Sequence, residues 1–547
     1  MKRKFHLVFL QGSWFKVFIL SALGVISSAC GVYLAMLSKN VVDMVTGQIS
    51  GDILRVGILL AGVILFQLGL HVAITLLHVH TAVSLRFQLQ TDLFARFLHK
   101  QKVAAARFHS GELVHRLSGD TGIVAESVAE IFPSLMAISA RIVFSFAALL
   151  MLDWMLAILC LIAGVVMLVA AYIYRKKTGD LFHKSRESEG VIRSFLQETA
   201  QNLSVIQAFS VHNVILRLLG KAQAESYRLT IQKNRISIGA SVCLYVAMTA
   251  GYYAVLGWGA WRIFSGAITF GSFTAILGLT GDISTPFQQL ASLFPQYLSF
   301  CASAERLEEL DALPQEVAGE QKDPEDLHMQ MTALAIRNLS FSYGDAPVLY
   351  QANADFEKGK LTAVCGKSGA GKSTLLNLIL GLLQPDSGSV NAVLRDETEC
   401  SLSCYRKLFA YVPQEFLLLS GTVLENITLF DEEPDMNRVN AVLHLACLEE
   451  EVEHLPDGIN TQLGEGGSRL SGGQRQRMAI ARALYSSADV LLMDESTSAL
   501  SADSEEQILK NLRTTGKTVI FVTHRQTAIR LCDSVWRVEA TSLHREN

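Results

Sequence analysis

The sequence predicts a multidomain membrane protein in which an all-α domain of six spanning helices is followed by an α/β domain. Three observations carry that prediction. Half of the 547 residues are hydrophobic, 18% are charged and mean hydropathy is +0.31. The apolar excess lies before about residue 300. Beyond it the chain becomes charged and Gly-punctuated, with strand and helix patterns in alternation.

This composition excludes a disordered or collagen-like chain. A net charge of −4 and a pI near 6.4 offer no broad basic field, so no nucleic-acid partner is expected. Nine cysteines are scattered without the paired spacing of a zinc site, Cys400 and Cys404 included, and read as reduced core thiols.

An uncharged run of 18 or more residues is long enough to cross a hydrocarbon layer of roughly 30 Å. Residues 17–38, 56–85, 154–174 and 236–261 contain no Asp, Glu, Lys or Arg. Two further spans each carry one charge: 131–152 holds Arg141, and 263 to about 298 holds Asp282. The first run follows Lys2, Arg3 and Lys4 and passes Ser28-Ala29-Cys30, so a lipoprotein signal is the rival reading there. Against it, Ser27 stands where a larger aliphatic residue is wanted, the apolar run continues past Cys30, and five more spans follow.

Cationic loops stay on the cytoplasmic side. The N-terminus, residues 86–130 and residues 175–235 carry 4, 6 and 11 Lys plus Arg, against Lys39, Arg55 and Arg262 near the opposite ends. Both termini are therefore expected in the cytoplasm. The two inner connections, about 45 and 60 residues with few Gly or Pro, read as helices that continue beyond the bilayer and turn against a cytoplasmic partner. Residues 108–113, 119–121 and 198–209 are the expected docking points. The membrane domain thus covers 1–310.

An acidic, Gln- and Pro-containing stretch at 311–328 reads as a linker, and 329–547 as the second domain. There the strand pattern Leu361-Thr362-Ala363-Val364-Cys365 runs into Gly366-Lys367-Ser368-Gly369-Ala370-Gly371-Lys372-Ser373-Thr374 and then an apolar helix. Strand, glycine loop and helix in this order make a P-loop, whose N–H groups and helix end face phosphate oxygens. Lys372 can reach the terminal phosphates of a bound nucleotide, and Ser373 can offer its hydroxyl to Mg²⁺.

A second apolar strand, Val490 to Met493, ends in Asp494-Glu495. Asp494 is placed to hold Mg²⁺ through its water shell, and Glu495 to polarise the attacking water. Between the two elements, Leu470-Ser471-Gly472-Gly473-Gln474 opens a basic helical run, a second anion-binding helix start. Its natural use is to close over a nucleotide held by another copy.

The P-loop, the Leu-Ser-Gly-Gly-Gln segment and the acid pair, in this order, resemble the ATP-binding cassette ATPases. The six spans resemble an exporter-type half-transporter of that superfamily, with the type I (type IV) exporter fold. Residues 266–273 and 303–307 are similar to the family's flanks of the sixth span. The resemblance implies that Tyr343 stacks on adenine and that Gln414 touches Mg²⁺ or water and senses the membrane domain. It implies that His524 contacts the γ-phosphate and that Gly464-Glu465-Gly466-Gly467 meets the intracellular helices. One departure stands out: Ser501 occupies the place of the family's usual aspartate in Ser498-Ala499-Leu500-Ser501, which puts coupling of the two nucleotide sites in doubt.

The family further implies a homodimer, or a pair with a related half-transporter, whose cassettes close on two ATP molecules and drive alternating access. The expected setting is a bacterial inner membrane. No peptidase domain is expected ahead of the first span. Asp282, Arg141 and His71 are the candidates for a pocket taking an amphipathic peptide, lipid or drug-like cation, with Pro286, Gln288 and Gln289 nearby. The same ionisable residues could instead form contacts between helices. An importer on the same scaffold, or an ATP-gated channel, are the alternatives to an exporter.

Overall fold

The computed structural model describes residues 14–108, 110–316, 325–344, 346–414, 417–497 and 499–546. Lys2, Arg3 and Lys4, His109, residues 317–324 of the expected linker and Ser498 lie outside them. The chain forms two compact units. One comprises the chain up to Leu98 and Phe108–Ala312; the other comprises His99–Arg107 and the chain from Leu313 onward.

The first unit is helical throughout: α1 (Trp14–Val45) and α2 (Ile53–Leu98), then, beyond the short α3 (Lys102–Ala105) of the second unit, α4 (Ser110–His115), α5 (Thr121–Leu152), α6 (Trp154–Gln201), α7 (Leu203–Ala208), α8 (His212–Phe264) and α9 (Phe270–Asp311). At 46, 48 and 53 residues, α2, α6 and α8 are about twice the length a bilayer needs, so the connections do continue the spans as helices. Among the described residues, α1, α2, Ser110–Leu152 and α8 are long and apolar enough to cross a membrane. The expected spans at 154–174 and 263–298 fall on α6 and α9, whose described residues do not meet that measure. The sequence of α9 is diluted by Asp282, Thr280, Gln288 and Gln289. Its helix also begins at Phe270 rather than at 263, because Ser265 to Thr269 form a turn with Gly266 at φ +70°.

Short side chains set the helix crossings, as expected where backbones must approach closely. A Cβ on Gly24 would stand 3.0 Å from Ala137 Cβ, and one on Gly271 would stand 2.2 Å from the Lys39 carbonyl. Ser28 Oγ donates to the Ala137 carbonyl at 2.9 Å. Buried charges are bonded. Asp153 caps α6 by accepting from Met155 and Leu156 N–H, while its other oxygen accepts from Trp258 Nε1 at 3.3 Å and Arg262 Nε at 3.1 Å. Arg116–Asp120 form a π-helical turn between α4 and α5. There the buried Asp120 accepts from Arg306 Nε at 2.8 Å and Ser303 Oγ at 2.9 Å. Burial alone would raise the Asp120 carboxyl, but the Arg306 and Ser303 bonds hold it below the ordinary carboxylate range.

The second unit begins with α3, whose flank Lys100 forms an antiparallel bridge to Gln315. After α10 (Glu325–Gln330) come β1 (Met331–Tyr343), β2 (Ala346–Glu357), β3 (Leu361–Gly366), α11 (Lys372–Ile379), β4 (Ser387–Leu394), β5 (Glu399–Ser401) and β6 (Phe409–Val412). The remainder is α12 (Val423–Thr428), α13 (Met436–Leu445), α14 (Glu449–Glu453), α15 (Gly472–Tyr485), β7 (Val490–Asp494), α16 (Ala502–Thr514), β8 (Thr518–Val522), α17 (Gln526–Ile529), β9 (Ser534–Glu539) and β10 (Ser542–Glu546). A six-stranded sheet of order β10-β9-β3-β8-β7-β6 is parallel except at the β10 edge. The other antiparallel strands form a sheet of their own, β2-β1-β4-β5.

Alternate residues of the parallel strands feed two cores, which is why β3, β7 and β8 are buried at every position. Ala363, Leu491, Met493 and Phe521 pack with Val423, Met478 and Ile508 of the helices. Val364, Leu492 and Ile520 pack with Leu375 of α11 and Phe356 of β2. The described cysteines form no disulfide, and Cys243 is exposed rather than a core thiol.

Candidate functional site

The loop from Gly366 to Gly371 is shaped by positions that only glycine fills. Gly366, Gly369 and Gly371 have φ of 152°, 78° and 100°. At Gly366 a Cβ would meet the Val538 carbonyl at 2.6 Å, and at Gly371 it would meet Val348 Cγ1 at 2.5 Å. Gly371 is the N-cap of α11 and supplies no side-chain oxygen, so the first N–H groups of that helix point out of the loop as donors. Lys367, Ser368 and Gly369 are exposed, Ala370 and Thr374 half-buried, and Ser373 exposed at the helix start. The buried Lys372 ammonium donates to the Gly366 and Lys367 carbonyls, both at 3.0 Å, which folds its charge into the loop.

The β7 tip lies next to this loop. Asp494 is buried, and burial foremost, with Glu495 adding, raises its carboxyl against the lowering effect of the Ser373 hydroxyl. Its Oδ2 accepts from the Tyr411 phenol at 3.4 Å, and Oδ1 is buried without a hydrogen-bond partner. Burial and the Asp494 charge push the Tyr411 phenol up. An orphaned carboxylate oxygen with a serine hydroxyl beside it is a hard-oxygen donor set that fits Mg²⁺.

Glu495 follows in left-handed backbone at φ 45°, a conformation uncommon for a residue with a side chain. Its Oε2 accepts from Gln414 Nε2 at 3.0 Å, and His524 Nε2 stands 3.3 Å from Oε1. Three residues assigned from separate segments of the sequence therefore meet at one carboxylate. Tyr343 ends β1, half-exposed, with its ring edge-on to Phe341 at 4.9 Å. Its hairpin partner β2 carries Val348 against Gly371, which places Tyr343 on the flank of the P-loop.

Ser471 caps α15: its Oγ accepts from Gln474 N at 3.3 Å, and Gln474 Oε1 accepts from Ser471 N at 2.9 Å. Gly472 and Gly473 pack closely on Ala499, and the buried Gln476 accepts from Ala499 N at 3.1 Å. Among the described residues no hydrogen bond joins Ser471, Gly472, Gly473 or Gln474 to the P-loop of the same chain. Ser501 caps α16, accepting from Ser504 N at 3.2 Å. Gly466 and Gly467 turn at φ 59° and 70°, and a Cβ on Gly467 would meet Leu418 at 2.7 Å.

Sequence reasoning missed Tyr411, although it sits three residues before Gln414 on β6, beside β7. It also missed Lys102, whose Nζ donates to Asn377 Oδ1 at 2.9 Å, while Asn377 Nδ2 donates to the Ser373 carbonyl at 2.7 Å. The expected docking point at 108–113 belongs to the first unit, and the segment joined to the second is His99–Arg107. Arg141 and Asp282, read as pocket candidates, form an ion pair at 2.5 Å between α5 and α9, the helix contact that had been the alternative. His71 is exposed on α2.

Two family models match the chain: ABC transporter transmembrane region over residues 17–287 and ABC transporter over residues 349–498. Among curated proteins, ABC transporter B family member 1 of Dictyostelium discoideum is 28% identical over 477 residues, covering 84% of this chain and 51% of that protein. The chain therefore spans about half of that relative's length. An ATP-dependent lipid A-core flippase of Desulfotalea psychrophila is 27% identical, covering 79% of this chain and 77% of that one. The multidrug resistance-like ATP-binding protein MdlA of Escherichia coli is also 27% identical, covering 81% and 76%. A solved bacterial Atm1-family ABC exporter with ATP bound superposes with a TM-score of 0.79 at 19% identity, covering 98% of this chain and 94% of that one, a likeness of fold.

Proposed function

This chain belongs to the ABC transporter family, and from that premise we propose that it is an ATP-driven exporter of amphipathic molecules. Its relatives include a lipid A-core flippase and a multidrug resistance-like protein, which favours export over import or gating. The observation that carries the reading is the meeting of Gln414 and His524 on the Glu495 carboxylate beside an intact P-loop.

In the proposed reaction, the N–H groups of the loop and α11 hold the β- and γ-phosphates of ATP, and Lys372 moves from its carbonyls onto them. Ser373 and Asp494, with Gln414, would hold Mg²⁺, which when bound would neutralise charge on the phosphate oxygens. Glu495 takes the proton of the attacking water as its oxygen bonds to the γ-phosphorus and the bond to the bridging oxygen breaks. His524 faces the departing phosphate. Tyr343 offers its ring to adenine.

Each nucleotide would be closed over by Ser471 to Gln474 of a second copy or of a related half-transporter. Hydrolysis then separates the cassettes. ATP can shift the membrane domain only by binding the closed pair better than the open one. Two segments would pass the motion on. One is α3, tied to α11 by Lys102 and Asn377. The other is α7, which exposes Leu203 and Val205, with Phe209 just beyond its end, to a partner cassette. The setting is a bacterial inner membrane with both termini in the cytoplasm.

The test is Glu495→Gln in lipid. MgATP hydrolysis should fall at least a hundredfold while ATP binding persists and nucleotide is trapped; brisk turnover by the variant would remove Glu495 as the general base. Uptake of a labelled amphiphile into inside-out vesicles fixes direction.

A further inference from the structure

Arg141 lies 11 residues before the end of α5 and Asp282 lies 12 residues after the start of α9. At 1.5 Å per residue both stand about 17 or 18 Å from the ends of their helices, close to the middle of a hydrocarbon layer roughly 30 Å thick. In the six expected spans these are the only Asp, Glu, Lys or Arg residues. A charge pair at that depth is expensive, and replacing such a pair by apolar residues is commonly neutral or stabilising. Fold alone therefore gives little reason to keep it.

The bonding of the pair is lopsided. Arg141 Nη2 donates to Asp282 Oδ1 at 2.5 Å, and among the described residues Arg141 makes no other hydrogen bond. A guanidinium has five N–H donors in a fixed fork, so most of them are left to another acceptor. Arg141 is also the more open partner, its side chain 36% exposed against 22% for Asp282. The α5–α9 seam beside the pair is filled, since Ile131, Ile138 and Leu293 form a buried apolar cluster with Ile142 and Leu290 packed on it. A cation with unused donors at mid-membrane depth, where the surroundings are hydrocarbon, matches one ligand chemistry: a phosphate or carboxylate head on a hydrocarbon body.

We infer that Arg141 is the head-group anchor for an anionic amphiphile, with Asp282 as the counter-ion that the ligand displaces. The inference rests on the transport reading and narrows its cargo from amphipathic molecules at large to anionic ones. Arg can take such a head bidentately, a bond about twice as strong as a neutral one. Asp282 then serves to keep the cation paired when no cargo is held.

Equilibrium binding of radiolabelled dodecyl phosphate to the full chain in phosphatidylcholine nanodiscs tests this, with dodecyltrimethylammonium as the cationic counterpart. The phosphate should bind at least tenfold more tightly than the ammonium. Arg141→Gln should lose at least tenfold, whereas Asp282→Asn, which frees the guanidinium, should bind severalfold more tightly. Should Arg141→Gln not fold, the uncharged double variant Arg141→Gln/Asp282→Asn must still lose phosphate binding. Equal losses in the two single variants would make the pair a structural contact, and a preference for the ammonium would assign the site to cations; either overturns the inference. Adding phosphatidic acid to the discs separates the sources, since displacement of dodecyl phosphate marks a bilayer lipid and its retention a water-borne amphiphile. MgATP hydrolysis by the wild-type chain in the same discs is scored separately, so loss of the transport reading is not confused with loss of anion binding.

Discussion

Asp494 is asked to be ionised in a place that disfavours ionisation. Burial and the neighbouring Glu495 charge raise its carboxyl, and the Ser373 and Tyr411 hydroxyls hold the rise in check. Mg²⁺ needs the carboxylate, so as pH falls through the raised value the metal must compete with a proton. Tyr411→Phe removes one of the two lowering bonds and should raise that value further. The expected outcome is a higher Mg²⁺ concentration for half-maximal hydrolysis, with the gap from the unmutated chain widening as pH falls. A Mg²⁺ titration of ATPase rate at several pH values checks it, and a uniform rate loss without a Mg²⁺ shift would place Tyr411 outside the metal's surroundings. Ser501 is simpler. It caps α16 in the position where the family's aspartate would cap it too, because both side chains offer an oxygen to the N–H groups of the first turn. Ser501→Ala should cost about 1 kcal/mol and speed amide exchange in that turn roughly fivefold, while Ser501→Asp should leave it unchanged.

At the scale of elements, α3 is where the long first connection becomes part of the cassette. Gln101 N–H donates to the Pro314 carbonyl at 3.0 Å and Glu316 N–H to the His99 carbonyl at 2.8 Å, so backbone bonds fix the segment on the chain just past α9. Glu316 in turn accepts from Arg406 at 2.6 Å. Lys102 then reaches Asn377, which bonds the carbonyl of Ser373. A movement of α3 would thus be passed to Ser373, one helical turn from Asn377 and the residue proposed to hold Mg²⁺. Lys102→Ala should leave the basal ATPase rate within about twofold, because a single exposed hydrogen bond contributes little. Stimulation of that rate by a transported amphiphile should fall severalfold, and Lys102→Arg should restore it. Unchanged stimulation in the alanine variant would remove Lys102 from the coupling route. None of this was legible in the sequence, since 275 residues separate the two side chains. What was legible is local: the P-loop, Asp494-Glu495 and Ser471 to Gln474 each announce themselves within a few residues. The boundary of α9 was misread because the turn at Ser265 to Thr269 is as apolar as the helix it interrupts. The separate β2-β1-β4-β5 sheet escaped notice because pairing register across distant strands leaves no trace in either strand alone.

For the whole molecule the decisive fact is a separation. The P-loop faces Asp494 and Glu495 in its own chain, yet the capped start of α15 makes no hydrogen bond to it among the described residues. If a nucleotide is gripped between one copy's P-loop and another copy's Ser471, damage to the two elements must be complementary between chains. In a homodimer, Lys372→Ala removes the phosphate grip from both seams, and Ser471→Arg blocks closure of both. A mixed dimer of the two variants concentrates both lesions in one seam and leaves the other intact. Each variant alone, in a Glu495→Gln background, should trap essentially no nucleotide in MgATP, whereas purified mixed dimers should trap about one per pair, half of the unmutated complement. Trapping is the right readout because it needs closure but not turnover. If mixing restores nothing while both variants still pair, each chain must complete its own site, and the seam between copies would have to serve something other than nucleotide.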